Sequence, residues 1–230
     1  MKSGLQRTWD SFDVYLFDID GTLLQCSDAT HYFAFCHTLT QVSGRPLNLD
    51  GVTAHGNTDV GILRDALSLA GIPDGDWRPR LPEIRKAMCR YVEERESDIC
   101  PSVMPQVHEV LQHLSKCGAT LGLATGNLKA IGELKLGRAG LLGYFQFAGW
   151  SDEFEFRADV ICAAIARAKE TAGPTASLCV VGDTPADVAA ARANGLSVIG
   201  VATGIYGLDE LAVAQPDLCV HSLGELLSPS

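Results

Sequence analysis

The sequence lacks any apolar run that approaches the roughly 20 residues needed to cross a bilayer. The stretch from Met1 to Arg7 also lacks the apolar centre of a secretory signal peptide. No C-x-x-C pair occurs among the eight cysteines, and several of them, such as Cys179, lie in apolar runs that favour buried reduced thiols over disulfides or zinc ligands. These absences predict a cytoplasmic protein with no membrane partner.

Positive charge is scarce as well. The 18 lysine and arginine residues are outnumbered by 28 aspartate and glutamate residues, which gives a formal net charge of −10 at pH 7. This excess argues against nucleic acid or an anionic membrane as the main partner. An anionic substrate would therefore need a local cation. The hydrophobic content of 47% and the charged content of 20% are typical of a globular protein.

Predicted strands and helices alternate along most of the chain. Apolar runs predict strands at 14–17, 119–124, 145–148, 177–181 and 197–201, and amphipathic segments predict helices at 105–116, 128–138, 159–171 and 185–194. Alternation of this kind is typical of a parallel sheet with helices on both faces. The predicted fold class is therefore α/β, a doubly wound Rossmann-like parallel sheet.

Between the first strand and residue 99 the pattern is only helical. Helices are predicted at 28–42, with Asp28 as N-cap, at 58–70 and at 82–96. Because the first strand belongs with the later ones, this helical stretch is an insertion. We predict an α/β core formed by residues 1–25 and 99–230, and an inserted all-helical cap domain formed by residues 26–98.

Polar side chains gather directly after three of the predicted strands. Ligands of a doubly wound sheet bind beyond the carboxyl ends of the strands, so these positions form the candidate site. Asp18 and Asp20 stand two residues apart, a spacing that points strand side chains the same way. The other candidates are Thr125, Gly126 and Asn127 after one strand, and Asp183, with Asp187 one helical turn further on, after another.

These residue types suit a metal ion and a phosphate group. Mg²⁺ prefers carboxylate and water oxygens and usually binds through few carboxylates plus substrate phosphate. A hydroxyl beside a Gly-Asn turn at a helix N-terminus suits phosphate oxygens. One carboxylate could attack phosphorus while a second protonates the leaving oxygen and later activates water. Simpler roles stay open for some residues: helix capping for Thr125, Thr58 and Asp59, and a first-turn helix acid for Asp187.

Three motifs, in order, resemble those of the haloacid dehalogenase superfamily. Asp18-Ile-Asp20-Gly-Thr-Leu resembles motif one, Ala124-Thr-Gly-Asn127 resembles motif two, and Val181-Gly-Asp183-Thr-Pro-Ala-Asp187-Val resembles motif four. Three motifs in order, over nearly the whole chain, are a far more specific signal than one. The helical insertion is similar to the cap of one branch, and its segment 54–59 resembles that of phosphoglycolate phosphatase-like enzymes.

The resemblance implies a role for each of these residues. Asp18 would be the nucleophile that becomes an aspartyl-phosphate, and Asp20 the general acid and base. Mg²⁺ would lie between Asp18, the backbone carbonyl of Asp20 and Asp183, supported by Asp187, while Thr125, Gly126 and Asn127 would bind the phosphoryl group. What the resemblance implies is a Mg²⁺-dependent phosphatase acting on a small phosphorylated metabolite. The sequence does not indicate the oligomeric state.

The sequence departs from the family pattern at motif three, where a lysine is usual. No lysine occurs between Lys135 and Lys169. Arg157 is the candidate cation, because a guanidinium can hold phosphate bidentately and stays protonated. The alternatives are Lys129 as a displaced cation and Arg157 as a surface residue only. Three alternative functions also stay open: a phosphomutase of the same superfamily, a receiver-type phospho-accepting domain, and a catalytically silent phosphate-binding homologue.

Overall fold

The computed structural model describes residues 7–227. Within this range the strands are β1 (Val14–Phe17), β2 (Leu24–Cys26), β3 (Pro101–Val103), β4 (Thr120–Ala124), β5 (Phe147–Gly149), β6 (Leu178–Gly182), β7 (Ser197–Val201) and β8 (Leu218–Val220). The α-helices are α1 (Thr30–Ser43), α2 (Asp59–Leu69), α3 (Asp74–Trp77), α4 (Leu81–Glu93), α5 (Val107–Lys116), α6 (Lys129–Arg138), α7 (Arg157–Ala172), α8 (Pro185–Ala193) and α9 (Leu208–Val213).

Six of the strands form one parallel sheet in the order β5-β4-β1-β6-β7-β8. The chain winds outward from β1 through β4 to β5 and then returns to β6, so the direction of winding reverses between β1 and β6. All four side chains of β1 are buried, which explains why its sequence is continuously apolar rather than alternating. The predicted α/β class with a doubly wound parallel sheet is confirmed. Crevices at such reversal points are where these sheets bind ligands.

The stretch between β2 and β3 is helical and has its own apolar cluster. The cluster joins α1, α2 and α4 around buried side chains that include Leu39, Leu63, Trp77 and Met88. Leu128 and Ile131, which belong to the segment after β4, complete it, so the helical stretch packs on α6. The division into a core and a cap at residues 26–98 stays a prediction.

Several elements differ from the sequence prediction. Strands β2 and β3 were not predicted, because three residues are too short to show a period; they pair antiparallel, with Leu24 opposite Val103. Helix α1 begins at Thr30 after Ala29, so Asp28 is not its N-cap residue. The Asp28 carboxylate instead accepts the N–H groups of Thr30 (3.0 Å) and Cys100 (2.8 Å), which ties together the two chain segments that enter and leave the helical stretch.

The end of the chain also contains elements that the sequence pattern did not predict, namely α9 and β8, which extends the sheet by one parallel strand. None of the helices in residues 7–227 combines the length and apolar character that a membrane crossing requires. The prediction about a signal peptide concerns a stretch of which residues 1–6 lie outside the described residues.

Candidate active site

The carboxyl ends of β1, β4 and β6 bring the predicted residues to one edge of the sheet. Asp18 extends the sheet one step beyond β1, because its N–H donates to the carbonyl of Val181 at 2.9 Å. Thr125 and Asp183 directly follow the neighbouring strands β4 and β6. Asp18, Thr125 and Asp183 are all buried. The structure therefore gathers the residues of three separate motifs around the reversal point between β1 and β6.

Three of the carboxylates form a buried cluster. Asp18, Asp183 and Asp187 each offer an oxygen, and these oxygens all lie within 4.8 Å of one another. Thr22 donates its hydroxyl to Asp183 at 3.0 Å and so holds one oxygen of that carboxylate in place. A Cβ atom at Gly21 would collide with Asp183, and Gly21 also has a positive φ of 84°. The turn after β1 thus needs glycine to let Asp183 approach.

The cluster is short of positive charge. Burial raises the pKa of Asp18 to about 6, although the Arg157 guanidinium works against this rise. Burial and the charges of Asp18 and Asp187 raise the pKa of Asp183 to about 8. Hard carboxylate oxygens that converge within 4.8 Å and repel one another suit a divalent cation such as Mg²⁺. The donor set therefore fits the metal that the sequence resemblance implies.

Arg157 reaches this cluster from the first residue of α7. Its Nη2 atom lies 2.8 Å from Oδ1 of Asp18 and 2.5 Å from Oδ1 of Asp187, and it donates to the carbonyl of Ala124 at 3.3 Å. Burial lowers the pKa of the guanidinium, but the two carboxylates outweigh this effect and the net shift is upward. Arg157 is thus a buried cation beside Asp18, and the alternative of a surface residue is wrong.

Lys129, the displaced-cation alternative, points elsewhere. Its side chain is 59% exposed, and its Nζ atom lies 3.9 Å from Glu133 on the same helix. Among the described residues that line the cavity at the sheet edge, Arg157 is present and Lys129 is not.

Asp187 has both carboxylate oxygens engaged. Oδ1 pairs with Arg157, while Oδ2 accepts the N–H of Thr184 at 3.0 Å and its hydroxyl at 2.7 Å. Thr184 in turn accepts the N–H of Asp187, which completes a capping box at the start of α8. The structure therefore shows Asp187 as a helix-capping acid that also holds Arg157. Its role as a metal ligand stays a prediction.

Asp20 is held by a residue that sequence reasoning missed. Lys135 places its Nζ atom 2.9 and 2.8 Å from the two carboxylate oxygens of Asp20 and 2.9 Å from Oδ1 of Asn127. The Lys135 side chain is only 3% exposed. Burial works to lower the pKa of Lys135, but the charge and hydrogen bonds of Asp20, together with other nearby acidic groups, outweigh it and raise the pKa. One signal was available, since Lys135 lies four residues after buried Ile131 on the apolar face of α6.

A hydrogen-bonded chain continues from Lys135 into the helical stretch. Lys135 donates to Nδ1 of His31 at 3.1 Å, which leaves Nε2 of His31 to donate to Asp59 at 3.2 Å. Asp59 also accepts the N–H of Leu128 at 2.8 Å, and its own N–H donates to the carbonyl of Gly126 at 2.7 Å. His31 thus links α1 to the residues after β1.

The loop after β4 supplies the remaining predicted residues. The hydroxyl oxygen of Thr125 accepts the backbone N–H of Asn127 at 3.3 Å and its side-chain amide at 3.0 Å. Asn127 also donates to Asp20 at 2.8 Å. Thr58, at the start of α2, accepts the N–H of Gly61 at 2.9 Å, so it is a helix cap as the sequence allowed. Gly126 and Asn127, unlike Thr58, line the cavity.

A cavity of about 310 Å³ lies between the sheet edge and the helical stretch. Asp18, Asp20, Arg157 and Asp183 line it on the sheet side, and residues of α1, α2 and the segment before α2 line it on the other. A concave site that brings carboxylates of perturbed pKa together with a buried cation is a candidate active site.

Comparison with known proteins places this geometry in context. A family model described as haloacid dehalogenase-like hydrolase matches residues 15–201. The chain is 27% identical over 219 residues to a probable phosphatase IndB of Dickeya dadantii, with 92% of this chain and 90% of that protein covered. It is 26% identical over 214 residues to a phosphoglycolate phosphatase of Agrobacterium fabrum, with coverage of 92% and 89%.

Solved structures show the same fold. A hydrolase from Pseudomonas syringae superposes with a TM-score of 0.70 at 22% identity, and the match covers 94% of this chain and 96% of that one. Among the relatives compared by sequence alone, a pyrophosphatase PpaX of Bacillus velezensis is 24% identical over 218 residues, with 92% of this chain and 93% of that protein covered. The family match confirms the resemblance that the three motifs indicated.

Proposed function

Because the chain belongs to the family of haloacid dehalogenase-like hydrolases, we propose that it is a Mg²⁺-dependent phosphatase that hydrolyses a phosphate monoester of a small molecule through an aspartyl-phosphate intermediate. The observation that carries this proposal is the buried Asp18 carboxylate, which faces Arg157 and Asp183 at the reversal point of the sheet and lines a cavity of about 310 Å³. Relatives named as phosphatases support it.

Asp18 attacks phosphorus in this proposal. An oxygen of its carboxylate forms the new P–O bond as the bond to the alcohol oxygen breaks, and water later cleaves the acyl phosphate. The ion pair at 2.8 Å between Arg157 and Oδ1 of Asp18 fixes the carboxylate. Asp18 and Asp183 would hold Mg²⁺, with Asp20 and Asp187 close by. When bound, the ion neutralises charge between the nucleophile and the phosphoryl group.

Arg157 and the loop after β4 bind the phosphoryl group in this proposal. Arg157 lines the cavity beside Asp18, and a guanidinium can hold phosphate oxygens through more than one N–H group. Its buried Nε atom has no hydrogen-bond partner among the described residues, so contacts within the protein do not use all the donors of this guanidinium. Thr125, Gly126 and Asn127 lie at the same edge, and the last two line the cavity.

Asp20 handles protons in this proposal. Its ion pair with Lys135 keeps it in the carboxylate form, which is the form that takes a proton from the water that attacks the intermediate. The two hydrogen bonds from Lys135 and the one from Asn127 fix the orientation of the carboxylate. The proton that Asp20 gives to the leaving oxygen is replaced by the proton that it takes from the attacking water, so the acid form is regenerated in each turnover.

The substitution Asp18→Asn tests the proposal. It keeps the shape of the side chain but removes the nucleophile, so hydrolysis of 4-nitrophenyl phosphate in the presence of Mg²⁺ should fall at least about 10³-fold. Chelation of the metal with EDTA should abolish turnover by the wild-type protein. Asp209→Asn, at an exposed site on α9, is the matched control and should retain the wild-type rate. A folded Asp18→Asn variant with wild-type turnover would show that the mechanism is wrong.

A further inference from the structure

We propose that the cavity selects a phosphate monoester whose alcohol part is apolar and carries no second negative charge. This inference rests on the proposed phosphatase function and specifies its substrate class. Three features of the cavity carry it: apolar side chains on the side of the helical stretch, an excess of acidic side chains, and two polar side chains on that side, His31 and Asn57, that are already hydrogen-bonded.

The wall opposite the carboxylates is apolar. Tyr32 and Phe35 from α1, Leu49 from the following segment and Ile62 from α2 all line the cavity. The ring of Phe35 stacks on the ring of His31, with 5.1 Å between their centroids. A leaving group in this space contacts rings and aliphatic carbons, and such contacts favour an apolar alcohol.

The charges that line the cavity are mostly negative. Asp18, Asp20, Asp59 and Asp183 line it, whereas Arg157 is the one lysine or arginine among the lining residues of the described chain. Arg157 already pairs with Asp18 and Asp187. The nearby Lys135 pairs with Asp20. A bound Mg²⁺ and the phosphoryl group would engage one another, so a carboxylate or second phosphate on the alcohol part would face acids without a free cation.

Two polar side chains on this side, His31 and Asn57, are occupied by bonds within the protein. His31 uses one ring nitrogen with Lys135 and the other with Asp59. Asn57 donates its amide to the carbonyl of Thr53 at 3.3 Å and to Asp65 at 3.0 Å, and its oxygen accepts the N–H of Thr58 at 2.8 Å. Neither His31 nor Asn57 is left to recognise an anion. His55 also lines this side, but an imidazole is not a permanent cation. The wall therefore discriminates mainly by shape and charge.

A series of matched benzyl phosphates tests this inference with the full-length protein in Mg²⁺. The probes are benzyl phosphate, 4-carbamoylbenzyl phosphate and 4-carboxybenzyl phosphate; the last two have nearly the same shape and differ in charge. We expect kcat/KM for the carboxy compound to be at least about tenfold lower than for the carbamoyl compound, a difference of about 1.4 kcal/mol. Assays run at pH 8, where imidazole side chains in general are neutral.

A substitution that introduces a positive charge at the apolar wall gives the complementary test. Leu49 is partly exposed, so Leu49→Lys can place an ammonium at the wall without burying it. We expect the preference for the carbamoyl over the carboxy compound to shrink about fivefold in Leu49→Lys, because one unit charge pair near a surface is worth about 1 kcal/mol or more. Leu49→Gln, which is polar but neutral, should leave the preference unchanged.

The outcomes separate this inference from the function on which it rests. If none of the three compounds is hydrolysed in a Mg²⁺-dependent manner, and 4-nitrophenyl phosphate is not hydrolysed either, the proposed function is wrong. If the protein hydrolyses these esters but treats the carboxy and carbamoyl compounds within twofold of each other, the phosphatase proposal stands and the substrate class is wrong. Equal preferences in Leu49→Lys and Leu49→Gln would also contradict the inference.

Discussion

Two buried cations face the paired carboxylates that follow β1, and they serve those carboxylates differently. Arg157 enters from the first residue of α7 and shares its Nη2 atom between two buried acids, Asp18 and Asp187. Lys135 enters from α6 and directs its ammonium at both oxygens of one acid, Asp20, whose side chain is 41% exposed. Arg157 is shared between two acids, whereas Lys135 pairs with one.

The pKa values of the two carboxylates respond in opposite directions. Burial raises the pKa of Asp18 to about 6, and Arg157 only limits the rise. Burial also acts to raise the pKa of Asp20, but the charge and hydrogen bond of Lys135 outweigh it, so that the net shift is downward. Two aspartates two residues apart thus acquire different chemistry from the cations around them. The acids around Asp18 have negative charge that a metal ion would balance, whereas the charge of Asp20 is already balanced by Lys135.

The largest expected effect comes from removing the shared cation. Arg157→Met keeps the length of the side chain but leaves Asp18 and Asp187 buried without a counter-ion. Breaking a buried ion pair in this way costs about 3–5 kcal/mol. Urea unfolding followed by circular dichroism in EDTA should show a loss of this size. Arg157→Lys should lose less, because it restores the charge; a loss below about 1 kcal/mol for Arg157→Met would show that the pair is not a stabilising feature.

Removing the dedicated cation should cost less. In Lys135→Met, Asp20 keeps its hydrogen bond from Asn127, and its exposed part can be solvated. We therefore expect a loss of about 1–3 kcal/mol in the free energy of unfolding. Lys129→Met is the matched control on the same helix, and it should change stability by no more than about 0.5 kcal/mol because Lys129 is largely exposed.

The substitution Lys135→Met also tests whether Asp20 and Asp18 have different functions in the reaction. Without Lys135, Asp20 loses its fixed orientation while Asp18 keeps its own cation. Hydrolysis of an alkyl phosphate, whose leaving oxygen needs a proton, should therefore fall more than hydrolysis of 4-nitrophenyl phosphate, whose leaving group needs none. We expect the ratio of the two kcat values to change about tenfold, within the range typical of general acid–base catalysis. An equal loss for both substrates would mean that Lys135 is only structural.

The contrast between these cations also shows which parts of the site the sequence could reveal. Asp18 and Asp183 stand at the ends of β1 and β6, positions that strand patterns indicate directly. Parallel strands bring such ends together whatever the details of packing. The architecture of the sheet could therefore be predicted from residue patterns. Arg157 is indicated by the family resemblance at motif three, since it lies before the helix predicted at 159–171.

Lys135 could not be placed in this way, because its role depends on a partner 115 residues away along the chain. A lysine in the middle of a helix is usually solvated, and only the three-dimensional packing of α6 against the β1 turn reveals its partner. Strands β2 and β3 escaped prediction for a related reason: each has three residues, and each is stabilised by the other across the whole helical stretch. Long-range pairing of this kind leaves almost no local signal.

The pH dependence of the folding stability of the metal-free protein tests whether the acids around Asp18 lack sufficient positive charge. Asp18 and Asp183 have folded pKa values of about 6 and about 8, above the ordinary value of 3.8. The folded state therefore binds more protons than the unfolded state in this window, so stability should fall as the pH rises from about 4 to about 8. In EDTA, Asp183→Asn should flatten this decline. Mg²⁺ should stabilise the wild-type protein more at pH 8 than at pH 5.

The smallest expected effect lies at the far end of the chain of hydrogen bonds from Lys135. Asp59→Asn can still accept the N–H of Leu128 but removes the negative charge that faces His31. We expect a loss of about 0.5–1.5 kcal/mol in unfolding free energy. If Asp20, Lys135, His31 and Asp59 act as one network, Asp59→Asn combined with Lys135→Met should deviate from additivity by at least about 0.5 kcal/mol. Asp59→Asn combined with Arg157→Lys should be additive, because Arg157 belongs to the other carboxylate; coupling of the same size in both pairs would show that the two cations do not act independently.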